Sequence, residues 1–109
     1  MFRQEKLAKA CNVAKEAGRR WGRHASKVLQ RVAELAAAET LADMSKLPPA
    51  RCHQLAGDRK GQFAVDAGPK LRIVFEPANN PIPRKADKGI DLAIVNKIRV
   101  LSIEDYHEE

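Results

Sequence analysis

The chain has few cysteines, few aromatic residues and no long apolar segment. Its 109 residues include two cysteines, Cys11 and Cys52, and aromatic residues make up 5%. Two cysteines alone form neither a disulfide framework nor a four-ligand zinc site. No apolar run approaches the roughly 18–20 residues that span a bilayer, and no signal-peptide core follows Met1. The sequence therefore predicts a soluble cytoplasmic protein with no membrane partner.

Length and charge indicate one basic domain, because domains commonly hold roughly 100–150 residues. The formal net charge is +6. Residues 1–31 hold nine basic and two acidic residues, a net +7, whereas residues 32–109 hold eleven basic and twelve acidic residues, a net −1. A segregated basic surface points to nucleic acid or to an acidic protein, and a solvated helix surface is the equally open alternative.

The first third has the periodicity of two helices joined by a short turn, a hairpin over about residues 4–45. Leu7, Cys11 and Ala14 recur at helical spacing, Gly18 predicts the end of the first helix, and the turn follows at residues 21–22. The second helix runs over residues 24–38 with an apolar stripe and a polar stripe. The polar stripe comprises Ser26, Lys27, Gln30, Arg31 and Glu34.

The remainder has the pattern of an antiparallel sheet over about residues 50–107. Pro48 and Pro49 end the helical part and predict an extended entry into the sheet. Four strands are predicted at residues 51–55, 62–67, 71–76 and 98–105. Residues 77–96 are predicted to form a long exposed loop, either a lid or partner-binding flap or an ordinary solvated loop. Helices followed by hairpin-linked strands predict an α+β fold.

Most familiar cofactor and metal sites are missing from the sequence. No glycine-rich phosphate loop of the P-loop or dinucleotide type is present. Cys52 and His53 are adjacent on a predicted strand, so their side chains point to opposite faces and cannot chelate one ion. Neither a metal nor a cofactor is expected, and both cysteines are interpreted as structural.

One set of residues has the chemistry for cutting RNA without a metal. Asp105, Tyr106 and His107 end the last strand, His53 lies on the first and Arg72 on the third. Cleavage needs a base for the 2′-hydroxyl, an acid for the leaving 5′-oxygen and cations for the phosphorane. Histidine and tyrosine suit the first two roles, and arginine suits the third. A frayed terminal His107 without a catalytic role is the alternative.

Several short motifs in the same order resemble HigB-type toxins of the RelE/ParE superfamily of toxin–antitoxin systems. The matching segments are residues 47–49 (LPP), 51–55 (RCHQL), 57–65 (GDRKGQFAV), 71–75 (LRIVF) and 105–107 (DYH). The resemblance runs from the second helix to the C-terminus.

The resemblance implies a ribosome-dependent mRNA endonuclease that inhibits translation. It implies two helices packed on a small curved antiparallel sheet, a RelE-like fold. The implied partners are the ribosome with its mRNA and a cognate helix-turn-helix antitoxin of the HigA type. Carried over by motif, the candidate catalytic residues are His53, Arg72, Asp105, Tyr106 and His107.

The sequence departs from the family at two places. The family commonly has a lysine where this chain has Ala56, which implies reduced activity unless Arg59 or Lys60 on the following turn compensates. Relatives generally begin with a short strand, for which the N-terminus leaves little room. The candidate RNA-binding residues are Arg59, Lys60, Arg19, Arg20, Arg23 and Lys27, of which the last four lie on the basic helices and suit docking to the ribosome or the antitoxin.

Two other functions stay open at this point. One is a non-catalytic toxin of the ParE type that inhibits DNA gyrase by binding. The acid–base residues favour the nuclease over this function, whereas Ala56 favours gyrase binding. The other is a basic RNA-binding domain without toxicity, against which the scarcity of aromatic residues for base stacking counts.

Overall fold

A computed structural model describes residues 14–105 of the chain, with helices first and a four-stranded antiparallel sheet after them. The helical elements are α1 (Ala14–Trp21), a 3-10 turn (Gly22–His24), α2 (Ala25–Ala37) and α3 (Leu41–Met44). The strands are β1 (His53–Gln54), β2 (Phe63–Asp66), β3 (Leu71–Pro77) and β4 (Ile98–Asp105). The predicted α+β class and antiparallel sheet are therefore confirmed.

The first two described helices are separated at Gly22. Its backbone has φ +55°, a left-handed conformation that glycine adopts without steric cost. The prediction that the first helix ends at Gly18 is wrong, because α1 continues to Trp21, whose ring packs against the core. The predicted helical residues 4–13 lie outside the described residues, and the hairpin stays a prediction.

The sheet has strand order β1-β2-β3-β4, and α2 and α3 cover one of its faces, here called the inner face. Phe63 on β2 lies opposite Phe75 on β3, with their rings stacked at a centroid distance of 5.9 Å. Val28 and Leu35 of α2 belong to the same buried cluster. Burial of these apolar side chains is the main force that joins helix to sheet.

Arg31 belongs to the core layer, although the sequence places it on the polar stripe of α2. It is only 4% exposed. Its Nε donates a hydrogen bond of 2.7 Å to the carbonyl oxygen of Asp66, and its Nη1 contacts Glu34 at 3.0 Å. The hydrogen bond to this carbonyl, at the end of β2, therefore replaces hydration that the guanidinium loses on burial.

The chain between α3 and the sheet contains a tight turn. Leu47 before the prolines is extended, as predicted, but Pro48 and Pro49 occupy the first positions of a 3-10 turn (Pro48–Ala50), so the extended conformation does not continue into the sheet. Proline suits this position because its fixed φ matches a helical turn and the lost N–H would be unpaired there. Arg51 follows with φ +48°, an uncommon conformation for a residue with a Cβ.

The 77–96 loop is anchored along its second half, which corrects the prediction of a fully exposed loop. Ile90 and Val95 are buried in the core. The backbone N–H of Leu41 donates to the Val95 carbonyl at 2.9 Å, which attaches the loop to α3. Among residues 14–105, no helix has the length and apolar character needed to cross a membrane.

Candidate active site

The sheet face opposite the helices, here called the outer face, carries most of the polar residues of the strands. The register and the alternation of side chains assign to it His53, Ala64, Asp66, Arg72, Val74, Glu76, Arg99, Ser102 and Glu104. Asp66, Arg72 and Glu104 lie opposite one another in one row across β2, β3 and β4. His53 begins the next row, which ends at Ser102.

Arg72 and Arg59 meet at a single carboxylate oxygen. Glu104 Oε1 accepts from Arg59 Nη1 at 2.9 Å and from Arg72 Nη2 at 3.3 Å. The other oxygen, Oε2, accepts from the Ser102 hydroxyl at 2.7 Å. Two guanidinium groups are thereby held side by side on the outer face.

These partners fix the ionisation state of Glu104. The hydrogen bond from Arg59 is the largest influence on its pKa, and desolvation opposes it. The hydrogen bonds from Ser102 and Arg72 and the charge of Arg59 lower the pKa further, so that the pKa falls from 4.5 to about 2. Glu104 is therefore ionised at neutral pH and unsuited to proton transfer, and its effect is to hold the two arginines.

The Arg59 contact also brings the turn before β2 over the outer face. Arg59 precedes β2, whereas Glu104 is on β4, two strands away, or roughly 10 Å at the usual strand spacing. Ala64 and Val74 lie on this face and are 0% and 1% exposed. The polar residues of the outer face therefore surround an apolar centre.

His53 is exposed at the β1 edge of the outer face. Its Nδ1 lies 2.8 Å from the carbonyl oxygen of Arg51. A carbonyl only accepts hydrogen bonds, so Nδ1 carries the proton in this contact. In the neutral ring Nε2 is then the unprotonated nitrogen, which is the form a general base needs.

Arg51 links His53 to the buried end of β2. Its Nη1 forms an ion pair with Asp66 Oδ2 at 3.4 Å, and Asp66 is only 8% exposed. Arg31 secures the Asp66 backbone from the helix side. The side chain of Arg51, 70% exposed, is therefore paired with Asp66 while its carbonyl orients the His53 ring.

The predicted catalytic residues are only partly brought together in the described chain. His53 and Arg72 share the outer face, whereas Asp105 lies opposite Leu71, on the inner-face side of β4. Tyr106 and His107 lie outside the described residues. Glu104, one position before Asp105, is the carboxylate beside Arg72.

A bulge in β4 places Glu104, and not Asp105, beside Arg72. Val74 pairs with Ser102 but Phe75 pairs with Val100, so Leu101 is an extra residue in β4. Strict alternation from the buried Val100 would place residues 101, 103 and 105 on the outer face. The extra residue reverses that assignment, and the sequence has no glycine or proline in this strand to signal it.

The predicted RNA-binding residues fall into separate regions. Arg59 is part of the outer face and Lys60 is exposed beside it. Arg19, Arg20, Arg23 and Lys27 are exposed on the helical segment. The guanidinium of Arg20 lies 5.9 Å from the centre of the Trp21 ring, and Lys27 contacts Gln30 at 3.4 Å.

Sequence reasoning did not select Arg51, Asp66, Ser102 or Glu104. Arg51 and Asp66 depend on a left-handed residue and on strand register, neither of which a single sequence displays. Glu104 and Ser102 could have been found only by placing the bulge. Ala56, where the family commonly has lysine, is exposed at the start of the turn that carries Arg59.

The described residues give little support for a metal site or a reactive thiol. Between residues 14 and 105, no group of three or more histidine, cysteine or acidic side chains is arranged to hold a metal ion. Burial raises the pKa of the Cys52 thiol to about 11, partly offset by a hydrogen bond with Ser45, so the reactive thiolate is scarce at neutral pH.

No protein-family model matches the chain, and no curated protein matches it either.

Proposed function

We propose that this protein is the toxin of a toxin–antitoxin system and a ribosome-dependent endonuclease that cuts mRNA without a catalytic metal. The supporting observation is that one sheet face presents both an oriented histidine, His53, and a fixed pair of guanidinium groups, Arg59 and Arg72. The finer fold proposed with this function is RelE-like, a helical hairpin on a curved sheet.

His53 is the proposed general base. Its Nε2 takes the proton of the ribose 2′-hydroxyl, and the 2′-oxygen attacks the adjacent phosphorus. The bond to the 5′-oxygen breaks, leaving a 2′,3′-cyclic phosphate on one fragment and a 5′-hydroxyl on the other. The proton for the leaving oxygen comes from Tyr106 or His107, the candidates that the sequence supplies.

Arg72 and Arg59 are the proposed electrostatic stabilisers. Charge accumulates on the phosphorane oxygens in the transition state, and preorganised donors stabilise it without reorganisation. Glu104 provides the preorganisation, because its ionised carboxylate holds both guanidinium groups. Asp105 faces the other way on β4, so we assign it no direct part in proton transfer.

Arg59 also bears on the reduced activity that Ala56 implies. A cation is expected near that position in the resembled family, and here the turn directs Arg59 onto the outer face. We propose that Arg59 replaces the missing lysine, so that the protein is active despite Ala56.

The proposed partners are the ribosome, translated mRNA and a helix-turn-helix antitoxin. The exposed basic residues of the helical segment, among them Arg19 and Arg23, would face ribosomal RNA or the antitoxin. They belong to the helical segment, which packs on the inner face, whereas the proposed catalytic residues lie on the outer face.

Induction of the chain in a bacterial host without the antitoxin tests this function. Growth should stop, and transcript ends should map inside translated reading frames. Growth arrest with intact transcripts would instead favour gyrase binding. His53→Ala is the inactive variant, and Gln54→Ala is its matched control, since Gln54 is the next exposed residue of the same strand and pairs with the inner-face Phe63.

A further inference from the structure

A polar groove lies at the end of the outer face remote from Glu104. It has a volume of about 890 Å³, which is within the range of ligand sites. Its walls come from the turn before β2, the paired ends of β3 and β4, and the start of the 77–96 loop. The side chains that line it include those of Lys60, Gln62, Asn80, Ile82, Arg84 and Arg99.

The charge of this groove is positive. Three cations, Lys60, Arg84 and Arg99, line it together with one carboxylate, Glu76. Glu76 is already paired, since its Oε2 contacts Arg99 Nη1 at 2.8 Å. Lys60 and Arg84 are left to attract an anion, and Ile82, 36% exposed, offers an apolar surface beside them.

The groove is built on anchored backbone. Asn79 fixes its outer wall, because its side-chain oxygen accepts from the N–H groups of Asn96 and Lys97, each at 3.2 Å. The Arg84 guanidinium donates to the Lys88 carbonyl at 3.0 Å, which holds it at the rim. A preformed wall lowers the entropic cost of binding.

The turn before β2 joins the groove to the proposed catalytic residues, since Arg59 contacts Glu104 and the next residue, Lys60, lines the groove. Glu76 and Arg72 lie on the same face of β3, four residues apart, or about 13 Å at the usual rise. That is about four nucleotides at a stacked spacing of 3.4 Å. A strand with its scissile phosphate at Arg72 would therefore enter the groove.

We propose that this groove binds the part of the single-stranded RNA substrate that flanks the cleaved bond. Lys60 and Arg84 contact its phosphates, and a base packs on Ile82. A positively charged groove that follows the phosphate backbone is a usual means of holding single strands. The proposal rests on the proposed nuclease function, because that function places an RNA strand on the outer face.

Binding of a 2′-O-methyl oligoribonucleotide tests the groove without requiring cleavage. Its affinity for the full chain is measured by fluorescence anisotropy over a series of salt concentrations. Arg84→Gln should weaken binding about five- to tenfold and lower the salt slope by about 0.7. Lys85→Gln is the matched control: it removes the same charge one residue away, outside the groove lining, and should change the affinity less than about twofold.

The outcomes separate this inference from the nuclease function. Equal effects of Arg84→Gln and Lys85→Gln, or no RNA binding by the wild-type chain, would overturn the groove assignment. Loss of antitoxin binding in Arg84→Gln with unchanged RNA affinity would also overturn it and assign the groove to a protein partner. A wild-type chain that binds the oligonucleotide in the groove but never cleaves mRNA refutes only the nuclease function.

Discussion

Arg59, in the turn before β2, donates a hydrogen bond of 2.9 Å to Glu104 on the last strand of the sheet. The contact spans 45 residues of sequence and crosses two strands. It places a turn cation beside Arg72, which uses the same carboxylate oxygen. The hydrogen bond between Arg59 and Glu104 therefore decides whether the proposed phosphate site has two cations or one.

Removing the Arg59 side chain should reduce mRNA cleavage. Arg59→Ala deletes one of two donors to the transition state, and a loss of about 10²-fold is expected. Ala56→Lys alone should give little gain, because Arg59 already supplies the cation. Ala56→Lys combined with Arg59→Ala should recover much of the lost rate in a translation reaction. A large gain from Ala56→Lys alone would contradict the proposed role of Arg59.

Glu104 should make stability dependent on acidic pH. Its pKa is about 2 in the folded protein against 4.5 in the reference state. A depressed pKa means that the ionised group stabilises the fold above about pH 4.5 and that this contribution is lost as the pH falls toward 2.

Urea unfolding at several pH values between 5 and 2 measures that contribution. The free energy of unfolding should fall more steeply for wild type than for Glu104→Gln, which has no proton to gain. Asp58→Asn serves as the control, because Asp58 is an exposed acid of the same turn. Equal slopes for wild type and Glu104→Gln would show that the two arginines do not stabilise the carboxylate.

The neutral His53 ring should carry its proton on Nδ1. The Arg51 carbonyl accepts from that nitrogen at 2.8 Å. Nitrogen chemical shifts of the imidazole, measured by NMR above the titration range of histidine, distinguish the two tautomers. Asp66→Asn removes the charge that holds the Arg51 side chain and should increase the Nε2–H population. A predominantly Nε2–H ring in wild type would contradict the proposed base.

Arg31 should contribute to stability through a buried contact. Arg31→Met leaves the Asp66 carbonyl without its 2.7 Å donor, and a cost of about 1–3 kcal/mol is expected. Gln30→Met, on the exposed side of the same helix, should change the free energy of unfolding by about 0.5 kcal/mol or less. Thermal or urea unfolding compares the two variants, and equal effects would mean that the carbonyl contact adds nothing.

The class of the fold follows from patterns that a single sequence displays well. Tandem prolines, the hairpin turn at residues 67–70 and the apolar runs at residues 71–76 and 98–103 marked the change from helix to sheet. The position of the last strand was also predictable. These features are local. In each of them the conformational preference of the residues and their pattern of burial indicate the same secondary structure.

The detailed site was less predictable, for three physical reasons. The bulge at Leu101 reverses which carboxylate meets Arg72, and nothing in the local sequence signals it. The long contact from Arg59 depends on how the turn folds over the sheet. The burial of Arg31 depends on a carbonyl 35 residues away, a tertiary interaction that overrides helical periodicity.

The most direct test of the central claim is to sequence the ends of mRNA that the purified protein cuts on translating ribosomes. The 2′-hydroxyl attack promoted by His53 predicts fragments with a 2′,3′-cyclic phosphate and a 5′-hydroxyl. These fragments should be absent with His53→Ala and present with Gln54→Ala. Intact mRNA with the wild-type protein, or fragments with a 5′-phosphate, would contradict the account.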